Sequence, residues 1–491
     1  MVALPPGPIV YAINTWPWLN ELSRAAGAPL TLADLPGAVW DELATLGMDA
    51  VWLIGVWERS PAGVEIARAN PALMAEFRQA LPDLRDDDLI GSAYCVRRYE
   101  VDPRLGGRAG LAVARAALAE RGVGLILDFV PNHTAPDHPW ALEHPSYFIR
   151  GDNADLERSP EEYLRVGPAV LARGRDPFFA PWADVVQLNA FEPAQREAAI
   201  ATLLEIAAQC DGVRCDMAML FIHEIFAQTW GERAGPAPPK EYWVEVIGAV
   251  RERFPSFVWI AEAYWDMEWA LQQLGFDYCY DKRLYDRLLH GDAAAVAGHL
   301  HAEPAYQSGL VRFIENHDEL RAAAAFQPQR HRAAAITAAT QLGMRLFHEG
   351  QLDGRRVRLP IFLGRRPAEP PDRELQAFYR RLLAALRAEP LREGSWQLCA
   401  IESWHANQSF HNLVAWAWVA ERRWALIVVN LADAPAQGMV RLGWEWLAGR
   451  PWRLSDALSD AVYERAGDEL AGQGLFIDLP AWGVHLLLSE P

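Results

Sequence analysis

The stretch that decides the fold is Gly124-Leu-Ile-Leu-Asp-Phe-Val-Pro-Asn-His133. An apolar run leads into Asp128 and stops there, which is the pattern of a short buried strand that ends in a polar side chain. Three more segments follow the same pattern, in this order along the chain: Gly212-Val-Arg-Cys-Asp216, Val258-Trp-Ile-Ala-Glu262 and Val311-Arg-Phe-Ile-Glu-Asn-His-Asp318. Carboxylates at the carboxyl ends of buried strands are typical of the face of a β/α barrel that carries its chemistry.

The rest of the chain supports a (β/α)8 TIM barrel. From residue 9 to about 385, strand-like runs alternate with helix-period segments, a pattern that predicts parallel strands joined by crossover helices. Eight strands are predicted, at residues 9–14, 50–55, 124–129, 212–215, 258–261, 276–280, 310–314 and 342–348. Eight strands match a closed barrel. We therefore expect an α/β catalytic domain made of residues 1–133 and 191–388.

Two further parts are expected. Residues 134–190, rich in Pro, Asp, Arg and aromatic residues, form too long a connection for a simple loop, so we interpret them as a subdomain inserted over the barrel mouth after strand 3. After about residue 390 the hydrophobic period changes to two, which predicts a C-terminal antiparallel β-sandwich over residues 389–491.

Composition narrows the class of partner. The 64 acidic and 46 basic residues give a net charge of −18, which disfavours nucleic acid and acidic membranes and favours neutral substrates. No apolar run is long enough to span a membrane. The five cysteines show neither a CxxC pair nor a metal-ligand spacing, and the start of the chain lacks the pattern of a secretory signal, so we expect a cytoplasmic protein with reduced thiols. Oligomeric state is left open.

Three of the strand-end carboxylates suit one type of chemistry. Hydrolysis of a glycosidic bond with retention needs two carboxyl groups about 5 Å apart, one as nucleophile and one as acid and then base. A third carboxylate nearby would hold sugar hydroxyls and favour the positive charge of the transition state. Asp216, Glu262 and Asp318 are the candidates for these three roles.

The four ordered segments resemble the conserved regions of the α-amylase family of glycoside hydrolases, over residues 9 to about 385. The resemblance implies that Asp216 is the catalytic nucleophile, Glu262 the general acid/base, and Asp318 the carboxylate that binds the sugar's 2- and 3-hydroxyls. It also implies that Arg214 orients the nucleophile and keeps it ionised, and that Asp128 is structural.

The same resemblance implies a set of substrate-binding residues. His133 and His317 are similar to the two histidines that hydrogen-bond the sugar at the cleavage subsite. Tyr94 lies where the family has a tyrosine that stacks on that sugar.

The chain departs from the family's pattern at positions that define the metal and the substrate. Asn132 matches a calcium ligand of the calcium-binding members, but Gln187 replaces the acidic ligand, so we predict no cofactor and no metal site, with calcium as the open alternative. Cys95 stands where exo-acting α-glucosidases have Asp, and Met219-Leu220 where many polymer-binding amylases have Lys-His. Linkage and chain length stay open.

The sequence therefore predicts an enzyme that cleaves α-glucosidic linkages in α-glucans or oligosaccharides through a covalent glycosyl-enzyme intermediate. An α-glucan transglycosylase or glucosyltransferase that uses the same intermediate is the alternative. A noncatalytic sugar-binding or scaffold protein on the same barrel is a third hypothesis, which the intact triad disfavours.

Overall fold

Eight short parallel strands form the closed barrel of the computed structural model, which describes residues 1–490. In chain order they are β1 (Ile9–Asn14), β2 (Ala50–Ile54), β3 (Gly124–Phe129), β4 (Gly212–Cys215), β5 (Val258–Ala261), β6 (Tyr278–Tyr280), β7 (Leu310–Arg312) and β8 (Met344–His348). Around the barrel they follow the order β1-β8-β7-β6-β5-β4-β3-β2. The predicted (β/α)8 barrel is confirmed.

The central strands form because both of their faces are buried. Every residue of β2, β3 and β4 is buried, which explains why they read as near-continuous apolar runs rather than as alternating ones. β4 lies between β3 and β5, with Arg214 opposite Asp128 on one side and Ile260 on the other. This register brings the residues that follow β4 and β5 to the same level of the barrel.

Helices occupy the connections between the strands. Pro193–Ala207 begins where the sequence predicts, because Glu192 accepts a hydrogen bond from the amide of Ala194 and Pro193 fits the first helical position. The α-helices are Thr15–Ala26, Gly37–Thr45, Pro61–Ala69, Pro71–Ala80, Gly107–Ala119, Pro139–Glu143, Asn153–Arg158, Pro193–Ala207, His223–Trp230, Tyr242–Arg253, Glu268–Gln273, Lys282–His290, Ala293–Leu300, Pro304–Ser308, Ala322–Ala325, Pro328–Ala339, Arg373–Ala385, Glu389–Glu393 and Gly467–Gly472. No helix among residues 1–490 is both long and apolar enough to cross a membrane.

Two excursions leave the barrel. The one after β3 contains a three-stranded antiparallel sheet, ordered Arg150–Gly151, Ala169–Ala172, Tyr163–Val166, and a short pair in which His133–Thr134 lies against Val186–Gln187. The other lies between β2 and β3, in a stretch that was predicted to be part of the barrel domain. Here the strands Trp57–Arg59 and Val96–Val101 form an antiparallel pair, and two helices connect them.

The C-terminal part is an eight-stranded antiparallel sheet, as the period of two predicts. Its strands are β9 (Ser395–Glu402), β10 (Leu413–Ala420), β11 (Arg423–Asn430), β12 (Ala436–Arg441), β13 (Pro451–Asp456), β14 (Val462–Ala466), β15 (Leu475–Leu479) and β16 (Val484–Ser489). They follow the order β14-β13-β16-β11-β10-β9-β12-β15, so β14 and β15 are the edges.

The chain divides into two units. The first comprises Met1–Tyr280 with Val357–Ala368, and the second comprises Asp281–Arg356 with the residues from Glu369 onward. Asp216 and Glu262 belong to the first unit and Asp318 to the second. The predicted domain boundaries stay a prediction.

Candidate active site

Two carboxylates of the first unit are fixed by the backbone of neighbouring barrel strands. The amide of Asp216 donates to the carbonyl of Phe129 at 2.9 Å, and the amide of Glu262 donates to the carbonyl of Cys215 at 3.0 Å. Both carboxylates are deeply buried, with Asp216 5% and Glu262 3% exposed. Each lies one residue beyond its strand, so the parallel ladder sets their relative height.

One guanidinium joins these two carboxylates. Nη1 of Arg214 lies 2.7 Å from Oδ1 of Asp216, and Nη2 lies 2.8 Å from Oε2 of Glu262. The Arg214 side chain is fully buried, and its guanidinium lies over the ring of Tyr94, 5.0 Å from the centroid. Burial alone would lower the pKa of Arg214, but the Glu262 carboxylate, together with Tyr94, Tyr280 and Asp216, outweighs burial and raises the pKa well above its ordinary value. Arg214 is therefore a permanent cation between two acids.

The two oxygens of Glu262 have different surroundings. Oε2 accepts from the amide of Met217 at 2.6 Å and also faces Arg214, whereas Oε1 accepts from the Tyr264 hydroxyl at 3.0 Å. Met217 has a left-handed backbone conformation with φ 44°, which is costly for a residue with a side chain. In this conformation the Met217 amide points toward Glu262 and donates to it. Tyr264 and Met217 are not among the site residues predicted from the sequence. Their only sequence signal is that Tyr264 lies two residues after Glu262.

Asp128 supports the backbone of the site. Its carboxylate accepts from the indole of Trp52 at 3.2 Å and from the amide of Gly55 at 3.3 Å, and its carbonyl accepts from the indole of Trp57 at 2.8 Å. Nη1 of Arg214 is 3.8 Å from its Oδ1. Asp128 therefore ties the end of β3 to the end of β2 and to Arg214.

Tyr94 and His133 lie in the same unit. Tyr94 is buried against Arg214, and His133 shares a hydrogen bond with the Tyr94 backbone. Burial lowers the pKa of His133 to about 4, so its imidazole is neutral at physiological pH and can both donate and accept hydrogen bonds. The ring of Trp182 packs on that of His133, with centroids 5.3 Å apart.

The residues at the family's calcium position do not fit a metal ion. Nε2 of Gln187 donates to Oδ1 of Asn132 at 2.9 Å, and Nδ2 of Asn132 donates to Oε1 of Gln187 at 3.2 Å. Each amide oxygen is thus engaged by the partner amide. Among residues 1–490, no group of three or more His, Cys, Asp or Glu side chains is placed to hold a metal.

The other departures from the family are packing residues. Sγ of Cys95 donates to the carbonyl of Asp184 at 3.0 Å, and the thiol packs with Ala135 and Val185. Burial raises the pKa of Cys95 well above its ordinary value, so it stays a neutral thiol. Met219 and Leu220 are also buried, in a short turn of 3-10 helix, Ala218–Phe221.

His317 and Asp318 belong to the second unit, beyond the end of β7. Nε2 of His317 lies 2.9 Å from Oδ2 of Asp318, whose side chain is 41% exposed. Oδ1 of Asn316 accepts from the amides of Asp318 and Glu319, both at 2.9 Å, which fixes the turn. The structure thus brings Asp216, Glu262, Arg214 and Tyr94 together in one unit, and pairs His317 with Asp318 in the other.

Comparison with known proteins agrees with this fold. No family model matches the chain. The chain is 25% identical over 409 residues, 80% of its length, to the α-amylase MalA of Haloarcula japonica. It is 26% identical over 260 residues, 51% of its length, to the α-1,4-glucan:maltose-1-phosphate maltosyltransferase of Rhodospirillum rubrum. The alignments cover 52% of the first relative and 31% of the second, so the chain matches about half or less of each.

A solved structure shows the same fold over the full length. The maltogenic α-amylase AmyB of Thermotoga neapolitana superposes with a TM-score of 0.69, covering 98% of both chains at 17% identity. The chain is thus similar to an α-amylase in sequence over four fifths of its length and to another in fold over its whole length, in agreement with the resemblance seen in the sequence.

Proposed function

We propose that the chain is a retaining glycosidase that cleaves α-glucosidic linkages in α-glucans or oligosaccharides. The observation that carries this proposal is the single Arg214 guanidinium bound to both Asp216 and Glu262. Because the two guanidinium nitrogens share one carbon, the two carboxylates are held close, as a retaining pair about 5 Å apart requires. The similarity to an α-amylase and to an α-glucan maltosyltransferase supports α-linked glucan as the substrate class.

Asp216 is the proposed nucleophile. Arg214 favours its ionised form and fixes one oxygen at 2.7 Å, so the carboxylate needs little reorganisation to attack the anomeric carbon. The attack displaces the leaving group and forms a covalent glycosyl-enzyme, which water then hydrolyses with Glu262 as base.

Glu262 is the proposed acid and then base, and the structure suggests which of its oxygens carries the proton. Oε2 accepts a hydrogen bond from the Met217 amide and lies 2.8 Å from the Arg214 cation, and a carboxylate oxygen beside a cation disfavours a proton of its own. We therefore assign the proton to Oε1, where the Tyr264 hydroxyl is within 3.0 Å.

The remaining residues have proposed binding roles. Asp318 and His317, already paired with each other, would receive sugar hydroxyls, as would the neutral imidazole of His133. Tyr94, held under the Arg214 cation, would present its ring to the same sugar.

The direct test is Asp216→Asn measured on a series of maltooligosaccharides. We expect kcat to fall by about 1,000-fold or more, because the amide is not a nucleophile. Asp456→Asn is the matched control, since Asp456 is also a buried acid, 2.7 Å from His485 in the C-terminal sheet. Near wild-type activity of Asp216→Asn would overturn the nucleophile assignment, and an α-configured first product, seen by NMR, would establish retention.

Transglycosylation is the second candidate, and the similarity to a maltosyltransferase favours it. A sugar hydroxyl would then replace water in the second half of the reaction. Chromatography of the products from maltotriose separates the two activities, because products longer than the substrate require transfer and only shorter ones indicate hydrolysis.

We also propose the cytoplasm as the location of the protein. All five cysteines are free and buried, which supports a reducing compartment. Fractionation of the cells that produce the protein would test this.

A further inference from the structure

Two large aromatic rings lie together on the surface of the C-terminal sheet. Trp404 is 47% exposed and Phe476 is 49% exposed, and their ring centroids are 6.1 Å apart with the planes inclined by 39°. Single exposed apolar residues are common on proteins, whereas two exposed aromatic rings in contact present a continuous apolar face on which a ligand can stack. From this platform we infer a second glucan-binding site, remote in sequence from the catalytic segments, and the choice of ligand class rests on the proposed function.

The sheet fixes the position of Phe476. It lies on the edge strand β15, where Leu475, Ile477 and Leu479 face the core while Phe476 and Asp478 face solvent. Phe476 is directly opposite Met439 on β12. Opposed residues of an antiparallel pair project from the same face, so the ring and the thioether form one apolar surface.

A separate set of hydrogen bonds fixes Trp404. It lies in the turn after β9, where the amide of Asn407 donates to the Trp404 carbonyl at 3.1 Å. The hydroxyl of Ser403 donates to the Asn407 carbonyl at 3.1 Å, and the side chain of Asn407 donates to the carbonyl of Gln437 on β12 at 2.9 Å. The turn is therefore attached to the strand beside Phe476, and the platform is preorganised.

The polar groups around the rings favour a neutral polyhydroxyl ligand. Glu402 is opposite Met439, and Asp478 is opposite Gln437, so both acids lie on the same face as Phe476. Arg441 contributes one cation, 3.5 Å from Glu402. Two carboxylates and one cation would repel a polyanion, whereas carboxylate and amide groups beside an aromatic face suit sugar hydroxyls above the apolar face of a glucose ring.

The size of the platform argues against a second copy of the chain as the occupant. Two half-exposed rings offer on the order of 200 Å² of aromatic surface, whereas a stable protein interface needs about 800 Å² from each partner. Rings that are inclined to each other suit successive sugars of a curved α-glucan chain.

The test is native gel electrophoresis in gels with and without amylopectin, using full-length protein that carries Asp216→Asn so that the glucan is not digested. We expect Trp404→Ala and Phe476→Ala each to weaken retardation by about 3- to 10-fold in apparent affinity, and the double variant by more than either. Phe476→Tyr should bind like the parent, and Phe476→Leu should not, because stacking on a sugar needs the ring.

Val462→Ala is the matched control, since Val462 is 46% exposed on β14, the opposite edge of the same sheet. It should leave amylopectin binding unchanged. In the active protein, the double variant should lose kcat/KM on amylopectin but keep it on maltotriose. Because the gel needs no turnover, it decides the second site even if the proposed activity fails.

A double variant that is retarded by amylopectin as strongly as its parent would overturn the inference. If that variant also has an altered oligomeric state in size-exclusion chromatography with light scattering, the platform is assigned to contacts between copies.

Discussion

Replacing Arg214 by lysine tests how much the bridge between the two carboxylates contributes. Lysine keeps the charge, but a single ammonium on a flexible stem cannot span Asp216 and Glu262 as the planar guanidinium does. Arg214 donates a hydrogen bond to Asp216 and forms an ion pair with Glu262, and lysine can keep only one of these two contacts. A charged contact of this kind is worth about 1.5–3 kcal/mol. If the contact that is lost contributes fully in the transition state, kcat/KM should fall about 10- to 150-fold.

The decrease should occur mainly in kcat, because Arg214 acts on the reacting carboxylates rather than on the substrate. The assay is steady-state hydrolysis of maltotriose from pH 4 to 9, with urea unfolding to measure stability. Arg115→Lys is the matched control, since Arg115 also pairs with a buried acid, Asp211, at 2.9 Å and lies outside the site. It should lower stability and leave kcat/KM within twofold. An Arg214→Lys variant with more than half of the wild-type kcat/KM would refute the reasoning.

Three further changes have defined outcomes. Tyr264→Phe should lower kcat about tenfold with little change in KM, because it removes the hydroxyl beside Oε1 of Glu262; a kcat within twofold of wild type would exclude that role. Cys95→Asp should lower the free energy of unfolding in urea by about 2–5 kcal/mol, since the carboxylate would be buried at the Cys95 position; unchanged stability would contradict this. The pKa of His133 is about 4 in the folded protein and about 6.5 in the unfolded chain. This difference contributes about 3 kcal/mol to the free energy of unfolding; the contribution is complete above pH 6.5 and is lost as the pH falls toward 4. Between pH 7 and 4.5, the free energy of unfolding of His133→Gln, measured in urea, should therefore fall by about 2 kcal/mol less than that of the wild type. An equal fall in both proteins would show that the buried imidazole takes up its proton in the folded state.

The barrel strands could be predicted because their burial leaves a local signal. Strands buried on both faces are short apolar runs, and the predicted bounds of Ile9–Asn14, Gly124–Phe129 and Val258–Ala261 agree with the structure. At the end of the C-terminal sheet, the apolar period alone does not separate the two strands β15 and β16. They are divided by a turn in which the amide of Gly483 donates to the carbonyl of Pro480. The apolar period continues through that turn.

The excursion between β2 and β3 left no such signal. Its strand Val96–Val101 reads Val-Arg-Arg-Tyr-Glu-Val, with charged residues on the exposed face, and its partner Trp57–Arg59 has only three residues and an irregular register. Short, bulged and charged strands resemble loops in a single sequence. The contacts of Glu262 with Met217 and Tyr264 also could not be predicted from the sequence, because they depend on a left-handed backbone conformation at Met217 and on strand register.

The placement of the carboxylates explains how this chain can depart from the α-amylase pattern near the proposed sugar site and still retain the proposed chemistry. Asp216 and Glu262 are held by amide-to-carbonyl bonds to adjacent strands, so their positions depend on the barrel ladder. Cys95 lies in the excursion between β2 and β3 and packs on residues of the excursion after β3, and Gln187 pairs with Asn132 within the latter. A substitution there changes the shape around the sugar without moving the ladder. The loss of an acidic residue therefore bears on the sugar that is bound at position 95 and on a metal ligand at position 187, and neither loss changes the carboxylates of the proposed cleavage mechanism.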